Sequence, residues 1–372
     1  MESKQSNQTP ETRPKKIINV VNKLLGAVPV IGIQRHRLLT DGQGVVTLVG
    51  FYGCPLQCRY CLNPQCHEED KILGYYSAEK LYEEVRVDDV YFRTTGGGVT
   101  FGGGEPLLYS DFIVRFRALC GKKWRLSVET SLNVPREQVA KLVNVVDEWL
   151  IDIKDMDNDI YTRYTGKSNA QVRENLNYLA KQRIRHKIQV RIPLIPGYNN
   201  VEHQARTIHY LEKEEFRQYS RLTYQKEVQK YYFDEQERGK QGKATCNVLK
   251  CLRENIALEY GFPYTSSKCD QETCISGTCP RCEAELQILT EAYYENKDKH
   301  SFKRSGDMLA RALGGIGKNY FGSDDIPRSI LDVVFGPGAP LFVFFAPSEE
   351  QIIERYATYL YLKSVDKKQE EK

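Results

Sequence analysis

From residue 45 onward, short apolar runs alternate with stretches whose apolar residues recur at helical spacing. Residues 45–52 are apolar almost throughout, as in a strand covered on both faces. Residues 99–101, 126–128, 149–153 and 188–195 repeat that character, while 78–85, 112–120, 134–145 and 172–179 carry the helical period. Pro135 stands where a first-turn proline is favoured. Strand–helix alternation at this spacing predicts right-handed βαβ units on a parallel sheet. About five such strand runs point to an α/β fold, a full or partial (β/α) barrel, with a doubly wound sheet as the alternative.

The flanks have another rhythm. Residues 1–16 read as a loosely held polar tail, and 15–30 have mixed or helical apolar spacing. Residues 213–243 are charged and tyrosine-rich, and no strand is placed there. Residues 244–262 predict a helix; a cysteine-rich loop follows over 269–282, then a charged helix and a glycine-containing segment over 308–322. The apolar run 330–347 is cut by Gly336, Pro337, Gly338 and Pro340, which predicts strand, turn and strand rather than a membrane span. An amphipathic helix over 352–362 precedes a charged tail. The expected division is a flexible tail over 1–28, a core barrel over 29–262 and a cysteine-rich, metal-binding extension over 263–372.

Composition narrows the class. The chain has 372 residues, of which 41% are hydrophobic, enough for one large domain and an appendage. A net charge of +4 gives no support to polyanion binding, and the basic runs 13–16 and 122–123 read as solvated surface. No apolar segment follows a basic start, so no secretory signal is expected and the protein is placed in the cytoplasm, bound to neither nucleic acid nor membrane. Eleven cysteines in a reducing compartment point to metal or redox chemistry rather than disulfides.

Three cysteines, Cys54, Cys58 and Cys61, fall within eight residues directly after the first strand run. A [4Fe–4S] cluster takes four protein thiolates when it is saturated; three leave one iron open. An amino acid can chelate that iron through its amino and carboxylate groups. If it is the methionine end of S-adenosylmethionine, one electron from the cluster splits the S–C5′ bond and makes a 5′-deoxyadenosyl radical. The alternative is structural zinc, with Cys66 as fourth ligand, although the spacing lacks the two short pairs of common zinc loops. Cys66 and His67 are otherwise unassigned, and Cys66 reads as a free surface thiol.

Other chemistry-bearing residues fall at equivalent strand ends, where α/β folds put their sites. Gly103, Gly104 and Glu105 follow the second run, Glu129 and Thr130 end the third, Asp152 and Lys154 end the fourth, and Arg191 lies in the fifth. Taken singly, a glycine-rich stretch is a turn, and Asp152 or Lys154 a surface ion-pair partner.

As an ordered set these residues resemble the radical S-adenosylmethionine superfamily, and within it the activating enzymes of glycyl radical enzymes. The resemblance runs from Asp41-Gly42-Gln43-Gly44 through the cysteine loop and Asn63-Pro64 to Gly97–Phe101 and Gly103–Pro106. It continues through Glu129-Thr130, residues 151–154, Arg191 and Pro196-Gly197, covering roughly residues 30–210. It implies a [4Fe–4S] cluster on Cys54, Cys58 and Cys61, with S-adenosylmethionine beside it. The Gly103–Gly104 carbonyls and Glu105 would then hold the methionine ammonium, Lys154 its carboxylate, and Tyr60 the adenine. Asp152 would orient Lys154 or the ribose or face the substrate, Arg191 belongs to the same cofactor-binding set, and Glu129-Thr130 matches a cation-binding Asp-Thr pair. The implied activity is hydrogen abstraction from a glycine of a partner glycyl radical enzyme, with an electron donor such as flavodoxin or ferredoxin. Glu129 for aspartate, Leu150 for methionine and Leu62 for histidine depart from the family pattern.

A second group, Cys269, Cys274, Cys279 and Cys282, is spaced C-x4-C-x4-C-x2-C, with Cys246 and Cys251 nearby as an extra pair. It reads as a metal site, either structural zinc or an auxiliary iron–sulfur cluster. Extra clusters in the activating enzymes usually follow the first cysteine motif closely, so the late position keeps two alternatives open. One is a maturase acting on a peptide or small molecule; the other is a zinc-binding interaction protein on a decayed enzyme scaffold.

Overall fold

The computed structural model describes residues 26–38, 41–223, 235–269, 271, 274, 278–298, 308, 309 and 312. The expected tail over 1–16, the run 330–347, the helix over 352–362 and most of the segment 308–322 lie outside the described residues.

Eight strands form one sheet: β1 (Val28–Leu38), β2 (Val45–Phe51), β3 (Gly74–Tyr76), β4 (Gly98–Gly103), β5 (Arg125–Thr130), β6 (Glu148–Asp152), β7 (Ile188–Leu194) and β8 (Tyr219–Thr223). Their order is β3-β1-β2-β4-β5-β6-β7-β8. β1 is antiparallel to both its neighbours, and every pair from β2 to β8 is parallel. Between the strands the chain returns through α1 (Ala78–Val85), α2 (Asp89–Thr95), α3 (Ser110–Cys120), α4 (Arg136–Leu142), α5 (Asn158–Thr165), α6 (Ala170–Ala180) and α7 (Val201–Lys213). A parallel array with two open ends and a helix or helix pair in most crossovers is the partial (β/α) barrel.

The strands found beyond the expected five have physical reasons for escaping hydrophobic patterning. β1 carries Arg35, His36 and Arg37, whose polar groups are met by buried acids: Arg35 binds both Asp88 oxygens at 2.7 Å, His36 Nε2 lies 3.0 Å from Asp88, and Arg37 binds Asp41 at 2.5 Å. β8 lies in the stretch read as having no strand; it is an edge strand paired with β7 alone, and its Tyr-Ser-Arg-Leu-Thr sequence does not alternate cleanly. Pro135 turns out to be the N-cap of α4 rather than its first residue. Side-chain caps fix other starts: Ser77 accepts from the Lys80 amide, Asp157 from those of Asp159 and Ile160, and Asn200 from that of His203.

Two large apolar clusters organise the packing. The main one lies between the sheet and helices α1 to α7, and all seven residues of β2 are buried in it or beside it. The second joins Leu38, Val45, Val90 and Tyr91 to two further helices, α8 (Glu235–Glu259) and α9 (Pro280–Asn296), through Leu249, Leu252, Ile256, Leu286 and Leu289. Arg253 of α8 binds Glu285 of α9 at 2.5 Å and donates to Tyr91 at 2.9 Å, so one buried cation ties both helices to the core. The helices thus share one cluster, although the expected boundary at 262/263 falls between them. No described helix is long and apolar enough to cross a membrane.

Candidate active site at the strand ends

The strand registers bring the sequence-predicted residues to one rim. Phe51 pairs with Gly103, Thr130 with Ile151, and Asp152 with Arg191. The cysteine loop leaves β2 through Gly53, whose φ of +95° favours glycine. It is pinned to the end of α5, where Gln57 N donates to Thr165 O at 2.8 Å and Arg59 N to Tyr164 O at 3.1 Å. These are helix-terminal carbonyls that lack partners within the helix. Tyr60 packs in a ring trio with Tyr164 and Tyr198, at centroid distances of 6.2 and 5.9 Å, and its hydroxyl donates to Pro196 O at 3.4 Å.

The glycines have a structural reason of their own. A Cβ on Gly104 would lie 2.1 Å from Gly53 O, and one on Gly103 would lie 2.6 Å from Gly50 Cα. The end of β4 presses its backbone against the base of the cysteine loop, and hydrogen bonds from Gly104 N to Phe51 O (2.9 Å) and Glu105 N to Gly53 O (2.8 Å) fasten the two together. Glu105, 1% exposed, accepts four hydrogen bonds: from Leu107 N, Thr130 Oγ1, Ser131 N and Ser131 Oγ. Those contacts match the acceptor capacity of a carboxylate, so Glu105 is a clamp between β4 and β5. Ser131 was missed from sequence; the hydroxyl pair Thr130-Ser131 at a strand end was its signal.

Around the rim runs a buried chain of charges. Arg191 Nη2 donates to Glu129 Oε1 at 2.8 Å, and its Nε lies 3.4 Å from Asp152 Oδ1. Lys154 Nζ lies 3.2 Å from Asp152 Oδ2. Burial raises the Glu129 carboxyl, with Arg191 opposing and Asp41 reinforcing, and Glu129 Oε2 makes no hydrogen bond among the described residues. A buried carboxylate oxygen lacking a donor suits a polar or cationic ligand at this rim.

The thiols divide into pairs. Burial, with Glu105 nearby, pushes Cys54 strongly upward, and burial pushes Cys58 up to about 11 against the field of Lys154. Cys61 is drawn down to about 7, first by a hydrogen bond from Cys66. Cys66, expected at the surface, is 1% exposed; its carbonyl accepts from Gly53 N at 2.8 Å, and its thiol lies within electrostatic range of Cys54 and Cys58. Among the described residues no three His, Cys, Asp or Glu side chains are already arranged about a metal position. Desolvated thiols beside a lysine nevertheless suit a group that deprotonates its sulfur ligands on binding, as iron does.

The second cysteine group is assembled differently from the sequence expectation. Cys246 of α8, Cys274 and Cys282 of α9 form a small buried cluster, with Cys279, the N-cap of α9, packed against it. Cys269 meets the same region through its carbonyl, which accepts from Lys243 Nζ at 2.9 Å. Cys251 packs against the apolar cluster of α8 and α9, and its sulfur accepts from Asn255.

Residues 48–208 match the Radical SAM superfamily. Pyruvate formate-lyase 2-activating enzyme of Escherichia coli (strain K12) is 33% identical over 200 residues, spanning 45% of this chain and 67% of its own length. (2S)-3-sulfopropanediol dehydratase activating enzyme of Klebsiella oxytoca is 29% identical over 46% of this chain and 72% of its own. Isethionate sulfite-lyase activating enzyme of Desulfovibrio desulfuricans is 28% identical over 55% of this chain and 85% of its own. With that match laid over the parallel strands and their charged rim, the chain belongs to the Radical SAM superfamily and, within it, sits beside the pyruvate formate-lyase activating enzymes.

Proposed function

We propose that this protein is an activating enzyme that cleaves S-adenosylmethionine and takes a hydrogen atom from a glycine of a partner glycyl radical enzyme. The observation that carries the reading is the placement of Cys54, Cys58 and Cys61 in one pinned loop, with Lys154 within electrostatic range of Cys58 and Cys61. When bound, a reduced [4Fe–4S] cluster supplies the electron that splits the S–C5′ bond, giving methionine and a 5′-deoxyadenosyl radical that abstracts the hydrogen. The three thiolates hold the cluster and leave one iron for the methionine end. The Gly103–Gly104 backbone faces the ammonium, with Glu105 as the clamp that fixes that backbone. Lys154, held by Asp152, pairs the methionine carboxylate; Tyr60 and its two neighbouring tyrosines flank the adenine; Glu129 and Arg191 set the charge of the rim. A partner enzyme to be activated follows the relatives' names, while the glycine substrate and a flavodoxin or ferredoxin as electron donor rest on the family resemblance alone.

A second reading has one observation in its favour. The buried Cys66 thiol hydrogen-bonds Cys61, so a closed four-sulfur zinc loop would use it as the last ligand. Anaerobic reconstitution followed by assay of 5′-deoxyadenosine separates the two. The activase reading expects Cys58→Ala to abolish the product and Cys66→Ala to keep both iron and product. Loss of metal on Cys66→Ala, with zinc alone in the parent protein, would overturn it.

A further inference from the structure

We propose that Cys246, Cys274, Cys279 and Cys282 form a four-thiolate site for a single zinc ion that bolts α8 to α9. The inference is independent of the reading of the first cysteine loop. It rests on a convergence that local spacing does not contain: Cys246 lies 36 residues before Cys282, yet their sulfurs are 3.6 Å apart. Cys274 joins that pair in one small buried cluster and Cys279 packs against it, so the four thiols converge on one place. Apart from cysteine sulfur, this cluster contains no apolar side chain, which sets it apart from the two clusters that make the core.

The Cys246–Cys282 separation favours one metal ion over a cubane, with the other two thiols closing in on binding. With zinc–sulfur bonds of about 2.3 Å, the edge of a tetrahedron of sulfurs is about 3.8 Å, close to the Cys246–Cys282 separation. A cubane takes one thiolate per iron and spreads its sulfurs much farther apart. Cys279 caps α9 and Cys282 lies in its first turn, where unbonded amides and the helix dipole favour thiolate. Arg253, buried where α8 meets α9 and paired with Glu285, lies in range of Cys282.

The same geometry excludes the two other nearby cysteines. Cys251 lies five residues after Cys246 on α8, about 140° round the helix axis, and faces the apolar cluster instead. Cys269 approaches with its carbonyl on Lys243. Because α8 and α9 pack on Tyr91 and Leu38, a metal joining them fastens the extension to the barrel.

The test uses the full chain carrying Cys54→Ala, Cys58→Ala and Cys61→Ala, so that metal bound at the first loop is removed. Metal analysis and zinc release to a chromogenic chelator are expected to give about one zinc per chain. Adding Cys282→Ser or Cys246→Ser is expected to abolish it, and adding Cys269→Ser to leave it unchanged. Cobalt exchanged into the triple variant is expected to give the intense visible bands of a tetrahedral four-thiolate ion, a readout that needs no further substitution. Iron with broad sulfide charge-transfer absorption, metal lost on Cys269→Ser, or a metal-free chain with Cys246 and Cys282 joined as a disulfide would each overturn the proposal.

Discussion

Arg191→Met tests whether the charged rim is held together by one cation. The arginine is 2% exposed and spans two strands, with Glu129 at 2.8 Å and Asp152 at 3.4 Å. Methionine keeps most of the stem volume and removes the charge. Asp152 retains Lys154 at 3.2 Å, so the loss falls mainly on Glu129, which above about pH 8 is an ionised partner of Arg191 in the parent and has no cation in the variant. Breaking a buried pair from one side costs about 3–5 kcal/mol. At an m-value of about 3 kcal/mol/M, the urea midpoint falls by about 1–1.7 M. The sign with pH follows from Glu129, whose carboxyl burial has already raised to about 8 with Arg191 in place. The unfolded value is about 4.3, so between the two the native state binds the extra proton and stability is lost as pH rises. Removing Arg191 raises the native value further, so parent and variant lose stability in parallel up to about pH 8, and the variant's deficit widens above it, where Glu129 ionises in the parent alone. Above about pH 8, adding Glu129→Gln should return at least about 2 kcal/mol, because a neutral amide needs no cation. A midpoint shift below about 0.3 M, or a double variant no more stable than the single one, would refute the reasoning.

Two further substitutions address the loop and the rim separately. Gly104→Ala puts a methyl group 2.1 Å from Gly53 O, so the cysteine loop must move; reconstituted iron is expected to fall by more than half while far-ultraviolet circular dichroism is kept. Gly121→Ala is its control: it carries the backbone strain of a φ of +62° but meets no atom within 4 Å, and should keep its iron. Lys154→Met is expected to weaken S-adenosylmethionine binding by about tenfold or more, the worth of one charge-assisted hydrogen bond, and to leave iron content unchanged. Unaltered affinity in equilibrium dialysis of the reconstituted protein would remove Lys154 from the carboxylate role.

What the sequence made legible depended on how far each feature reaches along the chain. β2, β4, β5, β6 and β7 are apolar because they are buried on both faces, so hydrophobic runs alone found them. β1 stayed hidden because its charges are neutralised by Asp88 and Asp41, residues that no periodicity within β1 can announce. The rim residues were found from their place after each strand run, which parallel topology converts into one end of a sheet. Their division of labour was not. The spacing gave no sign that Glu105 spends its lone pairs on Thr130 and Ser131, or that Gly103 and Gly104 lack a Cβ because Gly50 and Gly53 lie against them.

The two cysteine groups carry the same distinction into chemistry. In the first, the three thiols sit on one loop, so their order along the chain is nearly their order in space; the added finding is the burial of Cys66 beside Cys61. In the second, the sequence pattern offered Cys269 as a partner because it is near in the chain, while packing of α8 on α9 brings in Cys246 from the preceding helix. A site spread over two helices can exist only after they have docked, so metal binding there is coupled to docking. That coupling runs in both directions: the Arg253–Glu285 pair and the shared apolar cluster hold Cys246 against Cys282, and any ion they bind strengthens that contact in return. The strands of the barrel hydrogen-bond one another in register, and neither helix supplies a rung of the sheet. On the four-thiolate proposal, removing the zinc should therefore loosen α8 and α9 and leave the strand-end rim in place.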